Sequence, residues 1–237
     1  MKIIASNFKC NHTRASTESY AKGLEAFLSQ KMESKSAKLD ISIFPPSSAL
    51  LCDSFKHFKI GTQNAYPAES GAFTGEIGLE QLSEFNIKRI LIGHSERREI
   101  GESDEMCLKK FEFFKSQDFK IFFCIGESLD VRQSGLDSTL RFLESQLKGL
   151  PLDYEKLVVA YEPIWAIGSG VSASLDDIEA THKGLKQIVG KVPLLYGGSV
   201  KAENVREILS IEGVDGVLVG SASWELEGFC QIIENSL

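Results

Sequence analysis

The residues best suited to chemistry stand just after apolar runs. Glu162 follows the run 157–161, and Pro163 holds the Glu162 backbone extended, because proline disfavours the helical region in the residue before it. An apolar tip comes next, Ile164, Trp165, Ala166 and Ile167, followed by Gly168, Ser169 and Gly170. A water-avoiding loop stiffened by proline at one end and freed by two glycines at the other is built like a lid; an ordinary strand-to-helix connection with a solvated glutamate is the alternative. His94 lies in Gly93-His94-Ser95-Glu96, where glycine turns the chain and Ser95 or a neighbour caps the next helix. The positive end of that helix disfavours a second proton on the imidazole, and the neutral ring still donates one hydrogen bond to a carbonyl oxygen; the alternative is a purely capping histidine. Lys9, in Asn7-Phe8-Lys9-Cys10-Asn11, is either a solvated charge or a cation that balances an anionic substrate and charge developing in a reaction. Gly197-Gly198-Ser199 and Gly220-Ser221 are two tight turns or, read functionally, glycines that let backbone N–H groups approach an anion.

These groups need a scaffold that collects strand ends. Of eight short apolar runs, 2–6, 40–44, 58–62, 88–92, 119–125, 157–161, 192–196 and 214–219, several are continuous rather than alternating, as parallel strands covered on both faces are. Helix-period segments lie between them: Tyr20, Leu24, Phe27 and Leu28; Cys107, Phe111 and Phe114; Leu136, Leu140, Leu143 and Leu147; Leu175, Ile178, Leu185 and Val189; and shorter sets at Val205, Ile208 and Leu209 and at Phe229, Ile232 and Ile233. Weaker helices are expected after Pro46 and near 79–85. Eight alternations of strand and helix predict a single-domain (β/α)8 barrel over residues 1–237, and no Gly-x-Gly-x-x-Gly turn follows the first strand to favour an open doubly wound sheet. In a barrel, chemistry gathers at the C-terminal strand ends, here Asn7, Lys9, Gln63, Asn64, His94, Glu127, Glu162, 197–199, Gly220 and Ser221, and the last two turns occupy the usual phosphate position. The loop 64–78, with Tyr66, Phe73 and Thr74, is out of scale, and its aromatics are read as packing into a partner subunit or, as the alternative, onto the loop itself.

Composition narrows the partners. The chain has 237 residues, enough to bury roughly three-quarters of its unfolded surface. With 26 Lys and Arg against 33 Asp and Glu the net charge is −7, which argues against a nucleic-acid or anionic-membrane surface but leaves room for a small anion at a local positive site. Five scattered cysteines with no C-x-x-C pair, four of them among apolar neighbours, suit a reducing cytosol and buried thiols. The opening stretch is too short in apolar residues for a signal peptide, and no run approaches the roughly 20 residues of a membrane span. His182 is expected half-buried on a helix face, while His57 between two phenylalanines and His12 in a loop carry no metal-ligand spacing, so no metal site is expected.

The motifs carry a resemblance. Residues 7–11, Gln63-Asn64, 71–76 (Gly-Ala-Phe-Thr-Gly-Glu), 93–98, 124–127, 161–168, 196–200 and 219–223 resemble, in order and over essentially the whole chain, the triosephosphate isomerase family. That family is a well-known case of a glutamate base, a neutral histidine and a closing loop, and these roles are carried over rather than read from spacing. The resemblance implies interconversion of dihydroxyacetone phosphate and D-glyceraldehyde 3-phosphate in glycolysis and gluconeogenesis, in the cytoplasm, with no cofactor. It implies Glu162 as base, His94 as electrophile, Lys9, Asn7 and Phe8 around the substrate, and the Gly168 amide closing onto the phosphate. Ser199 and the backbone of Gly220 and Ser221 would lie behind that phosphate. Ser95 and Glu96 would support the site, Glu96 as a buried group, and the loop carrying Phe73 and Thr74 would enter a second copy to form a homodimer. Cys10 stands where the family often has Met, Phe8 where Trp is common, Ser169 where Thr is frequent and Ser221 where a second glycine is usual. Other phosphate-binding barrels, such as a phosphoribosyl isomerase or a synthase of tryptophan biosynthesis, share the cradle but not Lys9, His94 and Glu162 together. A silent phosphate-binding protein would not need them.

Overall fold

All eight apolar runs become strands in the computed structural model, which describes residues 1–32, 39–167 and 173–237. They are β1 (Lys2–Asn7), β2 (Leu39–Phe44), β3 (Lys59–Ile60), β4 (Arg89–Ile92), β5 (Lys120–Ile125), β6 (Leu157–Tyr161), β7 (Leu194–Tyr196) and β8 (Gly216–Val219). Every pairing is parallel, in the order β3-β2-β1-β8-β7-β6-β5-β4. A single bridge between Thr62 and Ile90 closes the sheet into a barrel.

Strand alternation splits the core in two. Ile3, Ala5, Phe44, Leu91, Phe122, Cys124, Val158, Ala160, Leu195 and Leu218 fill the barrel, and the larger cluster lies between strands and helices. The third strand is much shorter than its apolar run. Gly61 still donates to Ile43, but Thr62 has already turned to β4, donating to Arg89 and accepting from Leu91. Strand β3 thus changes partner within two residues.

The described helices are α1 (Arg14–Met32), α2 (Leu79–Glu84), α3 (Ser95–Glu99), α4 (Asp104–Ser116), α5 (Leu129–Gln133), α6 (Leu136–Gln146), α7 (Leu175–Val189), α8 (Val205–Ser210) and α9 (Leu226–Asn235). Ser103, Ser128 and Ser174 cap α4, α5 and α7 by accepting from the third backbone N–H beyond them. The helix expected after Pro46 is only a 3-10 turn, Ser47–Ala49. Adjacent Leu50 and Leu51 are both buried there, which an extended backbone allows and one helix face does not. Leu136 and Leu175, placed on apolar faces by spacing, each open a helix and stay exposed. No described helix is long and apolar enough to cross a membrane.

Two further expectations change. Of the five thiols, Cys107 and Cys124 are buried, Cys230 is partly so, and Cys10 and Cys52 are exposed, because loop positions expose a residue whatever its neighbours. His182 is fully rather than half buried, against Tyr161 and Tyr196.

Candidate active site

The C-terminal strand ends surround a cavity of about 200 Å³. Strand β1 contributes Asn7 and Lys9, β4 contributes His94, β6 contributes Glu162, and the turns after β7 and β8 contribute Ser199, Gly220 and Ser221. Each lies where its strand stops and backbone pairing releases the chain.

Glu162 is 2% exposed, yet both carboxylate oxygens are occupied. Oε1 lies 3.0 Å from His94 Nε2, and Oε2 accepts from the Ser95 backbone N–H at 3.1 Å. The glutamate backbone is anchored by donation to the Ile125 carbonyl. Glycine is required around it: a Cβ on Gly126 would lie 2.1 Å from the Glu162 carbonyl oxygen, and one on Gly197 would lie 3.0 Å from the Glu162 Cγ.

His94 caps α3. Its Nδ1 accepts from the Glu96 backbone N–H at 3.2 Å, so Nε2 carries the proton that meets Glu162. Burial lowers the His94 pKa, but the Glu162 carboxylate, its hydrogen bond and Glu96 outweigh burial and raise it from the ordinary imidazole value. A second proton on Nδ1 would set two donors face to face. The geometry therefore selects the neutral Nε2–H ring, and the larger part of the upward pull lasts only while Glu162 stays beside it.

Lys9 is the unusual backbone. Its φ is 52°, a left-handed conformation that costs a lysine about 1–2 kcal/mol. The surroundings hold it there: its N–H donates to Asn7 Oδ1, its carbonyl accepts from Gln63 Nε2, and its ammonium reaches Glu96 at 2.6 Å. The ammonium also lies beside Gly220, where a Cβ would sit 3.8 Å from Nζ. Glu96 is half exposed rather than buried, because its carboxylate turns sideways to Lys9 instead of into the core.

The turn after β8 admits a side chain at Ser221. Its unusual angles fall on Gly220, at φ −92° and ψ −118°, and Ser221 starts an ordinary 3-10 turn, Ser221–Ser223. Phe8 does not line the cavity. It is fully buried and packs on His12 and Tyr20, because strand alternation turns it away from its neighbours Asn7 and Lys9.

Of the loop 163–170, Pro163, Ile164, Trp165, Ala166 and Ile167 are described, and Gly168, Ser169 and Gly170 lie outside the described residues. Ile164–Ala166 form a 3-10 turn with Ala166 buried, and Ala166 and Ile167 line the cavity. Glu127 holds this turn: its Oε1 accepts from Trp165 Nε1 at 2.9 Å and Tyr161 Oη at 3.0 Å, and its carbonyl accepts from Ile164. Burial raises the Glu127 pKa. In the 64–78 loop, the Phe73 ring packs at a tilt against Tyr66, centroids 4.1 Å apart, and Phe73 remains 41% exposed, so the loop braces itself while presenting an aromatic edge.

Sequence motifs did not reveal every wall of the cavity. Leu218, Lys201 and Trp224, outside the quoted motifs, line it as well. Leu218 would follow from strand parity in β8. Trp224 had only one signal, a large aromatic three residues beyond a glycine turn.

Comparison with known proteins finds one family along the whole chain. The sequence profile of the family described as triosephosphate isomerase matches residues 2–236. A triosephosphate isomerase of Sulfurovum sp. (strain NBC37-1) is 57% identical over 233 residues, covering 98% of this chain and 99% of that protein. Those of Wolinella succinogenes and Helicobacter hepaticus are 55% and 52% identical, with coverage of 98% and 100% of this chain and 99% and 100% of theirs. With a matching barrel and family similarity along its whole length, the chain belongs to the triosephosphate isomerase family and is an isomerase.

Proposed function

We propose that the chain interconverts dihydroxyacetone phosphate and D-glyceraldehyde 3-phosphate through an enediolate, in the glycolytic and gluconeogenic direction alike, in the cytoplasm. The observation that carries this reading is the meeting of Glu162, His94 and Lys9 around one cavity beside two glycine turns. The Glu162 carboxylate exchanges its partners Ser95 and His94 for the substrate and takes the proton from the hydroxymethyl carbon. The carbon–hydrogen electron pair forms the carbon–carbon double bond, and the carbonyl pair moves onto oxygen. His94 Nε2–H donates to that oxygen and Lys9 balances its charge; one preorganised donor of this kind is worth roughly 2.7–4 kcal/mol. Proton transfer between the two oxygens and return of the carbon proton from Glu162 to the neighbouring carbon give the aldehyde.

The phosphate takes no part in the bonding changes. Ser199, the amides of Gly220 and Ser221, and the Gly168 amide bind it, and that binding stabilises closure of the 163–170 loop. Closure keeps water from an intermediate prone to lose phosphate. Phe8 serves as packing behind Asn7 and Lys9. No metal or cofactor is assigned, and Phe73 and Thr74 enter a second copy to make a homodimer. The test is turnover of D-glyceraldehyde 3-phosphate in a coupled assay after exhaustive chelation. Turnover that survives chelation is expected; no turnover of either triose phosphate would remove the reading.

A further inference from the structure

Lys9 is held from one side by Gln63. On the opposite side the loop after β1 is tied to the loop after β8 by two crossed hydrogen bonds. The Trp224 indole N–H donates to the Asn7 carbonyl at 3.4 Å, and His12 Nε2 donates to the Trp224 carbonyl at 2.9 Å. A carbonyl only accepts, so the proton on His12 is assigned to Nε2. His12 stands at φ 73°, left-handed like Lys9 three residues before it. Its ring lies 4.4 Å from Phe8, and its Nδ1 faces Ser16 Oγ at the start of α1 at 3.2 Å.

The β8 side of this pair is a fixed anchor. Tyr20 Oη donates to the Ser223 carbonyl at 2.7 Å, and Ser6 Oγ meets Ser223 Oγ at 2.6 Å in the interior. Trp224 follows directly, is only partly buried, and forms a wall of the cavity. The β1 loop is the dependent partner, because two left-handed side-chain-bearing residues within four positions need outside contacts to keep that shape.

We propose that His12 and Trp224 are positioning residues for Lys9: they clasp the lysine loop to the rigid turn that carries Gly220 and Ser221. The proposal rests on the assignment of Lys9 to charge stabilisation in the triose phosphate reaction. Without the clasp the ammonium samples positions away from the developing oxyanion, and a displacement near 1 Å lowers the rate by as much as about a hundredfold. The phosphate turn keeps its own anchors and its affinity.

The experiment is a double-mutant cycle on the full chain. Trp224→Phe keeps an aromatic wall and removes the indole N–H, while His12→Gly removes the imidazole at a φ that glycine accepts without strain. Each variant is measured alone and with Lys9→Ala, for kcat, KM and competitive inhibition by inorganic phosphate. The expected result is a fall in kcat of about three- to thirtyfold for each single variant, with the phosphate inhibition constant within about twofold of wild type. In the Lys9→Ala background the same substitutions should change kcat by less than about twofold, since the group they position is gone. Equal losses in both backgrounds, or wild-type kcat with only a lower melting temperature, would overturn the clasp. A wild-type protein that turns over neither triose phosphate defeats the functional reading instead, which separates the two failures.

Discussion

A carboxylate that shuttles a proton must reach carbon, and a ring that polarises a carbonyl must offer a proton without carrying a charge. In the proposed reaction Glu162 and His94 are given these tasks, and each has a separate support: Gly126 and Gly197 leave room for the glutamate, and the Glu96 amide occupies the second nitrogen of the imidazole. Glu162→Asp withdraws the carboxylate by one methylene and should lower kcat by about 10²–10³, with KM within severalfold. His94→Gln should lower kcat on the scale of one lost oxyanion donor, about 10²–10³. Steady-state kinetics check both, and a variant near the wild-type rate removes that residue from its role. These residues were legible in the sequence because their types and their places after apolar runs are local properties. Phe8, beside two of them, was not: whether a strand-end residue faces the cavity or the helices depends on where the strand stops turning.

The elements act as rulers. The ends of β5 and β6 touch at Gly126, where an added methyl would lie 2.1 Å from the Glu162 carbonyl oxygen and 3.1 Å from its carbon. Backbone cannot rotate away as a side chain can, so Gly126→Ala must displace the Glu162 strand end. The expected outcome is a loss of kcat of at least about a hundredfold, with a stability cost of about 1–3 kcal/mol, read from activity and urea unfolding. Strands and most helices were visible as continuous or 3.6-period apolar runs. The missing helix after Pro46 was not, because proline followed by serines marks a start without saying whether an apolar face follows.

At the scale of the whole molecule, burial sets the acid limit. His182 is fully buried; its Nδ1 lies 3.3 Å from the Gly213 carbonyl, and its Nε2 has no partner among the described residues. Burial pushes its pKa down to about 4, against an upward pull from the Gly213 bond and Asp215 and a downward push from Lys186. The unfolded chain therefore binds the proton more tightly. The stability this site contributes is present above about pH 6.5 and is lost as pH falls towards 4, a change of about 3 kcal/mol. Thermal melts from pH 7 to 4.5 should fall more steeply for the wild type than for His182→Gln, and parallel curves would exclude the site. The exposed Phe73 edge belongs to the same scale. Sedimentation should give twice the chain mass of 26.2 kDa, and Phe73→Asp, placing a charge in the proposed contact, should weaken association by about thirtyfold or more.

Local chemistry along the chain was enough to predict the eight strands and the barrel and to single out the glutamate, histidine and lysine at strand ends as candidates, while their roles came from the family resemblance. Apolar periodicity and turn residues are read within a window of a few positions, and a barrel repeats that window eight times. Tertiary structure alone decided that Glu96 turns outward to Lys9, that Phe8 packs behind the site, and that His12 and Trp224 meet. Those last contacts join residues 212 and 217 positions apart, at the two strands that bring the start of the chain beside its end. No short stretch of sequence records such a distance; it exists only once β1 and β8 pair and two loops with no shared periodicity come within hydrogen-bond reach.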